Sequence, residues 1–227
     1  MEQVISKLEL TKEQCEKFSL YYDFLISENE KYNLTAITNI DEVYIKHFYD
    51  SIMMGKFIDL NGKSLCDIGS GAGFPSIPLK IVFPELEVVI IEPTQKRIKF
   101  LEQLINKLKL ENVKLICERA EDAICNYRES FDIVTARAVS NLRMLLELTI
   151  PFVKVNGDLI AYKGSSYKEE IDISKSALHK LNSQVIYIHK YNLPYDMGER
   201  YLIQIKKNKK TDEKFPRRFA EIKKKPL

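Results

Sequence analysis

One acid and three glycines lie within seven residues of each other: Asp67 is followed by Gly69, Gly71 and Gly73. The apolar run 64–68 predicts a strand that stops at a glycine-rich turn, with a helix starting just beyond it. Such a turn directs backbone N–H groups and a helix N-terminus at a ligand over the sheet edge. Glycine permits a positive φ and a close approach of ligand to main chain. A ligand-binding loop is therefore predicted, and a turn without a ligand is the alternative.

The spacing of the glycines separates classes of ligand. Dinucleotide-binding folds favour G-x-G-x-x-G, which seats a pyrophosphate. This chain reads G-x-G-x-G, preceded by an acid two residues earlier. The pattern resembles the first motif of S-adenosyl-L-methionine (SAM) methyltransferases, whose ligand has an amino-acid tail and no phosphate. A nicotinamide-dependent oxidoreductase would use the same kind of sheet and remains an alternative, although it prefers the longer spacing.

Further candidate residues follow the other predicted strands, because ligands of open α/β sheets bind outside the carboxyl ends of the strands. Glu92 follows the second strand, where an acid can accept hydrogen bonds from both ribose hydroxyls; a helix-cap acid is the alternative. Ala120 and Glu121 follow the third strand and are placed to border an adenine, or form an ordinary acidic helix start. Arg137 follows the fourth strand, with an ion pair to Glu121 or Glu92 as the alternative to a functional role.

The elements that must position these residues alternate along the chain. The expected architecture is α/β: a Rossmann-like class I SAM-dependent methyltransferase, with a mostly parallel seven-stranded sheet and helices on both faces. The predicted strands are 64–68, 86–91, 113–117, 131–136 and 157–162, closed by an antiparallel edge hairpin of 185–191 and 200–206. The predicted helices are 76–83, 95–110, 120–126, 141–153 and 166–182.

The first 60 residues predict a helical cap in front of this sheet. Thr11 begins a capping-box pattern followed by apolar residues at helical spacing, and a second helical pattern covers 41–57. His47 lies beside aromatic residues in that pattern and is interpreted as a satisfied structural histidine. We expect one structural unit: a cap at 1–60, a methyltransferase domain at 61–207 and a basic tail at 208–227.

Composition indicates a cytoplasmic globular protein. The chain is 45% hydrophobic and 30% charged, with no apolar run long enough to span a bilayer. Four cysteines without a C-x-x-C pair and three histidines give little support for a metal site. The net charge is +3, yet residues 206–227 hold ten lysines and arginines against three acids. A basic tail on an acidic body is typical of a nucleic-acid partner, and a solubilising terminus is an equal alternative.

The absence of two motifs narrows the choice of the atom that accepts the methyl group. Methyltransferases acting on exocyclic amino groups often carry Asn/Asp-Pro-Pro-aromatic after the fourth strand, and this chain has no Pro-Pro. Methylation at pyrimidine C5 needs a cysteine nucleophile, commonly in a Pro-Cys pair, which is also missing. Without these motifs, the chain suits an acceptor atom that is already nucleophilic. Guanine N7 has a lone pair and no proton to remove, so proximity and orientation would suffice, with no general base.

A resemblance to one family extends over nearly the whole chain. The chain is similar to the small-subunit rRNA methyltransferase G family, also called glucose-inhibited division protein B. The segments that carry the resemblance are Tyr32-Asn33-Leu34-Thr35, Asp50-Ser51, the run from Asp67 to Pro75, Ile77-Pro78-Leu79, Lys96-Arg97, Phe100-Leu101, Arg137-Ala138, Lys163-Gly164 and Phe215-Pro216-Arg217-Arg218.

The resemblance implies a SAM-dependent transferase that methylates N7 of one guanine in a loop of 16S rRNA, releasing S-adenosyl-L-homocysteine. The resemblance places the family's SAM contacts at Gly69, Phe74, Ala120, Glu121 and Arg137. Two departures are noted. Ser76 stands where the family usually has a glycine, and 219–222 differs from the family's usual Lys-Ala-Gly-Thr-Pro tail.

Together these interpretations give three sets of candidate residues and a set of partners. Arg137 and Lys163 are candidates for positioning the target base, without a certain catalytic residue. We expect 16S rRNA of the small ribosomal subunit as partner, no membrane, no metal and a monomer. A non-catalytic RNA-binding assembly factor is the second alternative. The predicted SAM contacts are Asp67, Gly69, Gly71, Gly73, Phe74, Glu92, Ala120, Glu121 and Arg137; the predicted RNA contacts are Lys96, Arg97, Lys163, Arg217 and Arg218.

Overall fold

Short runs rich in Val, Ile and Leu form a seven-stranded sheet in the computed structural model, which describes residues 10–137 and 140–227. The strand order is β3-β2-β1-β4-β5-β7-β6. Strands β1 to β5 run parallel, and β7 pairs antiparallel with both β5 and β6. This is the predicted mostly parallel sheet. The strands are β1 (Ser64–Ile68), β2 (Glu87–Ile91), β3 (Val113–Ile116), β4 (Phe131–Arg137), β5 (Val153–Lys163), β6 (Ser183–Asn192) and β7 (Glu199–Lys207).

Helices cover both faces of the sheet. They are α1 (Lys12–Tyr32), α2 (Ile40–Val43), a π-helix (Tyr44–Tyr49), α3 (Asp50–Ile52), α4 (Met54–Phe57), α5 (Ser76–Val82), α6 (Gln95–Leu108), α7 (Ala120–Tyr127), α8 (Leu142–Thr149), a 3-10 turn (Ile150–Phe152), α9 (Tyr167–Ile173), α10 (Lys175–Lys180) and α11 (Phe219–Lys224), with a further 3-10 turn at Pro194–Asp196. The fold class expected from the sequence is confirmed.

Three of the differences from the predicted elements have local reasons. The helix predicted for 141–153 ends at Thr149, because Pro151 has no N–H to continue the helical pattern. The segment predicted as one helix over 166–182 is two helices that meet at Ser174, whose hydroxyl donates to Glu170 O at 2.5 Å. A serine that bonds the preceding turn bends a helix. The pattern over 41–57 is interrupted by the π-helix.

Each face of the sheet has its own hydrophobic core. One core joins α1 and the π-helix to the glycine-loop face, and its largest buried side chains include Phe18, Tyr21 and Phe100. The other core lies under α7, α8 and α10, and it includes Phe215 and Ile222 from the C-terminal segment. The N-terminal helices and the C-terminal segment therefore cover opposite faces.

The register brings the carboxyl ends of the central strands to one edge. Ile68 of β1 lies beside Ile91 of β2, and Arg137 of β4 lies beside Tyr162 of β5. Neighbouring strands are about 4.8 Å apart, so residues that follow them lie close together. Among residues 10–137 and 140–227, none of the helices combines the length and apolarity that crossing a membrane requires.

Candidate active site

The glycine loop after β1 combines two kinds of glycine. Gly69, Gly71 and Gly73 have φ of +73°, +63° and +98°, the left-handed region that favours glycine. A Cβ added to Gly71 would meet no atom within 4 Å, so the space over this residue is open. A Cβ added to Gly73 would lie 2.7 Å from Ile77 Cγ1. Gly71 therefore leaves room for a ligand, whereas Gly73 permits close packing of α5.

Glu92 fastens the end of β2 to this loop. Its carboxylate is buried and accepts hydrogen bonds from Gly71 N at 3.1 Å and Thr94 N at 3.0 Å. Arg97 NH1 lies 3.5 Å from Glu92 Oε2. The loop and the acid predicted from separate strands are thus in direct contact. That both border one ligand stays a prediction.

A cavity of about 310 Å³ opens at this edge of the sheet. Four of the predicted SAM contacts line it: Gly69, Glu92, Ala120 and Glu121. Its apolar walls include Ile68, Leu148 and Phe219, and its polar walls include Arg97 and Arg119. Arg97, predicted to contact RNA, thus lies in a wall of this cavity.

Asp67 lies below the glycine loop and supports it. The carboxyl group is buried, and Oδ2 accepts a hydrogen bond from Ser76 N at 3.2 Å, at the start of α5. Burial raises the pKa of Asp67 to about 7. The acid of the motif therefore holds the loop to the helix that follows it. Ser76 contributes its main-chain N–H to this contact.

Phe74 connects the loop to the N-terminal helices. Its buried ring stacks on His47 with centroids 4.5 Å apart and on Tyr21 with centroids 5.5 Å apart. The guanidinium carbon of Arg137 lies 4.9 Å from the same ring, a distance at which a cation is attracted to the ring face. Phe74 thus separates the glycine loop from a second group of polar residues.

That second group is organised around Arg137 and Asp50. Arg137 NH1 lies 3.3 Å from Asp50 Oδ2. The ion pair to Glu121 or Glu92 that the sequence left open is therefore wrong, since the partner is an acid of the N-terminal cap. The motif residue Ala138, which follows Arg137, lies outside the described residues.

Asp50 is buried and has three polar partners on different elements. Tyr191 of β6 donates its hydroxyl to Oδ1 at 2.7 Å, and Arg200 Nε of β7 lies 3.7 Å from the same oxygen. Burial raises the pKa of Asp50, and the positive charge of Arg137 opposes that rise. The carboxylate therefore joins the cap to β4, β6 and β7.

His47 belongs to the same network. Its Nδ1 lies 3.2 Å from Arg137 NH2, and its Nε2 lies 2.8 Å from Thr35 Oγ1. A guanidinium only donates, so Nδ1 must accept and Nε2–H must donate to Thr35. Burial, and next the charge of Arg137, lower the pKa of His47 to about 3. His47 is a satisfied neutral histidine, as expected, but it also orients Arg137.

A second cavity of about 290 Å³ lies over this network. It is lined by Asp50, Arg137, Tyr162, Lys163, Gly164 and Arg200. Lys163 Nζ is 2.7 Å from Glu170 Oε2 and donates to Ser140 O at 2.9 Å. The two residues predicted to position a base, Arg137 and Lys163, are therefore brought together here.

The remaining predicted RNA contacts have different surroundings. Lys96 and Arg218 are exposed. Arg217 forms an ion pair with buried Glu147, in which its Nε lies 2.7 Å from Oε1 and its NH2 lies 2.6 Å from Oε2. This guanidinium anchors the C-terminal segment to α8, so a purely RNA-facing role for Arg217 does not fit its contacts.

Three polar residues of the site were missed in the sequence: Asp50 as the partner of Arg137, and Tyr191 and Arg200 beside it. A signal existed for Asp50. It lies between Phe48 and Ile52 in a helical segment whose other residues are mostly apolar, and a buried acid requires a cationic or hydrogen-bonded partner. The identity of that partner depends on the three-dimensional packing.

Comparisons with known proteins agree on one family. The family model described as rRNA small subunit methyltransferase G matches residues 14–197. A protein of Oceanobacillus iheyensis named ribosomal RNA small subunit methyltransferase G is 48% identical over 223 residues, covering 97% of this chain and 94% of that protein. A Staphylococcus aureus protein of the same name is 47% identical, covering 97% of this chain and 93% of that protein.

Solved structures share the fold at low sequence identity. The M. jannaschii TYW2 structure, in complex with AdoMet, has a TM-score of 0.57 at 20% identity and covers 71% of this chain and 76% of that one. A precorrin-6y C5,15-methyltransferase of Geobacter metallireducens has a TM-score of 0.55 at 15% identity and covers 70% of this chain and 87% of that one. These likenesses support the Rossmann-like sheet.

Proposed function

The chain belongs to the rRNA small subunit methyltransferase G family, and from that premise we propose that it transfers a methyl group from SAM to N7 of one guanine in 16S rRNA. The observation that carries the proposal is the pair of cavities at the carboxyl edge of the sheet. The glycine-loop cavity is assigned to SAM, and the cavity over Arg137 is assigned to the target base.

The residues of the first cavity fit a nucleoside with an amino-acid tail. The space over Gly71 is open, and Glu92 presents a buried carboxylate beside it. Ile68 and Leu148 offer an apolar slot next to Ala120 and Glu121. The cavity volume of about 310 Å³ lies at the lower end of the range for small-molecule sites. We assign Glu92 to the ribose hydroxyls and the Ala120–Glu121 side to the adenine.

When bound, SAM supplies a methyl group on a positively charged sulfur. The chain's own task is to hold a guanine so that its N7 faces that methyl group. Guanine presents N7 and O6 as acceptors on one edge. A guanidinium that bonded N7 would block the reaction, so we assign Arg137 to O6 and the other walls of the second cavity to the ring.

The site requires no proton acceptor for this reaction. N7 attacks through a lone pair, and the positive charge passes from sulfur to the methylated base without loss of a proton. His47 is unsuited as a base because its pKa is about 3 and both ring nitrogens are bonded. Asp50 is occupied by Arg137 and Tyr191. Proximity and orientation can supply the acceleration that remains.

The RNA must present an unpaired or flipped guanine, because N7 lies in the deep and narrow major groove of A-form RNA. Exposed Lys96 and Arg218 are assigned to phosphate contacts, which strengthen binding without reading sequence.

The test is transfer of labelled methyl from SAM to small ribosomal subunits that lack the modification, followed by mapping of the labelled nucleotide. Naked 16S rRNA, fully modified subunits and protein alone serve as controls. We expect label at one guanine N7 and none on modified subunits. Label on no RNA, despite measurable SAM binding, would exclude the rRNA assignment and indicate a protein or small-molecule acceptor.

A further inference from the structure

The C-terminal strap, defined as residues 211–227, reaches the cavity assigned to SAM. It follows β7 and passes over the face covered by α7 and α8. Phe219, the first residue of α11, forms part of the wall of the glycine-loop cavity. The family model matches residues 14–197, so the strap lies beyond the matched residues.

The strap is held on the side that precedes Phe219. Arg217 makes the two-pronged ion pair with Glu147 of α8, whose side chain is fully buried. Phe215 is buried in the core, and Arg128 NH2 donates to Phe215 O at 2.6 Å. Paired contacts of this type between arginine and a carboxylate fix orientation as well as position.

The strap is also held on the side that follows Phe219. Ile222 is fully buried in the same core. Arg143 donates through Nε to Leu227 O and through NH2 to Pro226 O, both at 2.8 Å. Phe219 therefore lies between two anchored points, which restricts the positions that its ring can take.

The surroundings of Phe219 suit a flat, neutral ring with polar edges. Leu148 and Ala120 line the cavity with it. Arg119 lies 5.9 Å from the centre of the Phe219 ring, and Phe219 N donates to Glu121 Oε1 at 3.3 Å. Aromatic and apolar side chains bind the faces of a purine, whereas main-chain and carboxylate groups bind its edges.

We propose that Phe219 contacts the purine of the bound cofactor and that the strap is part of the cofactor site. This inference rests on the proposed function, because it assigns the glycine-loop cavity to SAM. It adds that the basic C-terminal segment, which the sequence left open between a nucleic-acid-binding tail and a solubilising terminus, supplies a wall of the cofactor site.

The test compares binding of S-adenosyl-L-homocysteine by calorimetry in the natural protein, Phe219→Ala and Lys224→Ala. Lys224 lies on the same short helix and is exposed, so it is the matched control. We expect Phe219→Ala to weaken binding roughly 10-fold or more and Lys224→Ala to leave it unchanged. Binding of 5′-methylthioadenosine, which keeps the purine and lacks the amino acid, should weaken by the same factor.

A second variant covers the case in which Phe219→Ala loosens the strap. The chain contains no tryptophan, so Phe219→Trp creates a single reporter in the cavity wall. We expect its fluorescence to change as S-adenosyl-L-homocysteine saturates the site. Tyr187→Trp, on the exposed edge strand β6, should show no change.

The outcomes separate the two proposals. If the natural protein binds S-adenosyl-L-homocysteine but Phe219→Ala binds equally well, or if Phe219→Trp gives no signal at saturation, the inference about Phe219 is wrong and the cofactor assignment stands. If the natural protein binds no S-adenosyl compound at all, the assignment of the cavity to SAM fails, and the inference fails with it.

Discussion

The two cavities at the edge of the sheet are built in different ways. The walls of the first come mainly from successive βα units: the glycine loop after β1, Glu92 after β2 and Ala120–Glu121 after β3. The second joins Asp50 of the cap to Arg137 of β4, Lys163 of β5 and Arg200 of β7. One repeated rule of sheet geometry locates the first cavity, whereas pairing of distant side chains creates the second.

The cavities also differ in which groups bond the buried acid of each. Glu92 accepts two main-chain N–H bonds and has Arg97 at 3.5 Å. Asp50 is bonded by side chains, Arg137 and Tyr191, with Arg200 at 3.7 Å. Main-chain contacts tolerate sequence change, but a buried side-chain ion pair fails when one partner is removed. Substitutions should therefore separate cofactor binding from methyl transfer.

Gly71→Val should have the largest effect, at the glycine loop that Glu92 joins to the first cavity. Valine at φ +63° is strained, and its side chain would fill the space over the loop. We expect affinity for SAM to fall by a factor of about 100 or more, with cooperative unfolding retained. A loss of 3 kcal/mol of binding free energy corresponds to roughly that factor. Calorimetry and thermal unfolding measure the two quantities.

Gly62→Val is the matched control for backbone strain. Gly62 has φ +61°, and a Cβ there would also meet nothing within 4 Å, but it precedes β1 at the other end of the strand. Gly62→Val should unfold at a similarly lowered temperature and bind SAM normally. Equal SAM affinity in the two variants would show that the glycine loop is not part of the cofactor site.

Arg137→Lys should have the next largest effect, confined to the second cavity. Lysine keeps the charge near Asp50 but cannot bond Asp50 and His47 with one planar group. We expect kcat for methyl transfer to fall by about 100-fold, which is the effect of losing one well-placed hydrogen-bond donor. The Kd for SAM should change less than about 3-fold. Single-turnover kinetics with saturating SAM measure the first quantity.

The opposite result for Arg137→Lys would contradict the assignment of separate roles to the two cavities. If Arg137→Lys weakened SAM binding and spared kcat, Arg137 would belong to the cofactor site, as first predicted from its strand-end position. Arg137→Ala is less informative, because leaving Asp50 short of its closest cation should destabilise the fold by roughly 3–5 kcal/mol.

The sequence sufficed for the sheet and for the walls of the first cavity that follow β1, β2 and β3. Strand ends, glycine spacing and acids at regular intervals are local features, and the Rossmann-like architecture follows from their alternation. The family resemblance drawn from ordered motifs is confirmed by the family model and by relatives near half identity.

The second cavity could not be assembled from the same features. Asp50 and Arg137 are 87 residues apart, and Asp50 and Tyr191 are 141 apart. Their contact depends on the π-helix Tyr44–Tyr49, which neither propensity nor periodicity predicts. Phe219 was missed for a related reason: a charge count describes a basic tail but cannot show which uncharged residue of that tail is buried.

The acid stability of the fold offers the finest test of the comparison, because His47 near the second cavity and Asp67 under the first have pKa values shifted in opposite directions. His47 beside the second cavity has a pKa lowered to about 3, so the unfolded chain binds the extra proton between about pH 3 and 6.5. Its contribution to stability therefore rises with pH in that window.

Asp67 under the first cavity has a pKa raised to about 7, so the folded chain binds the extra proton between about pH 4 and 7. Its contribution falls as pH rises.

The contributions of His47 and Asp67 should nearly cancel each other in the natural protein, and each should appear separately when the other group is replaced. Between pH 4.5 and 6.5, the stability of Asp67→Asn relative to the natural protein should rise by about 1.4 kcal/mol per pH unit. The relative stability of His47→Asn should fall by about the same slope, because its opposing contribution is gone. Urea unfolding at a series of pH values measures both. Slopes of the same sign in the two variants would mean that one of these groups is not held in the protonation state its surroundings indicate, and would remove the electrostatic distinction between the two halves of the site.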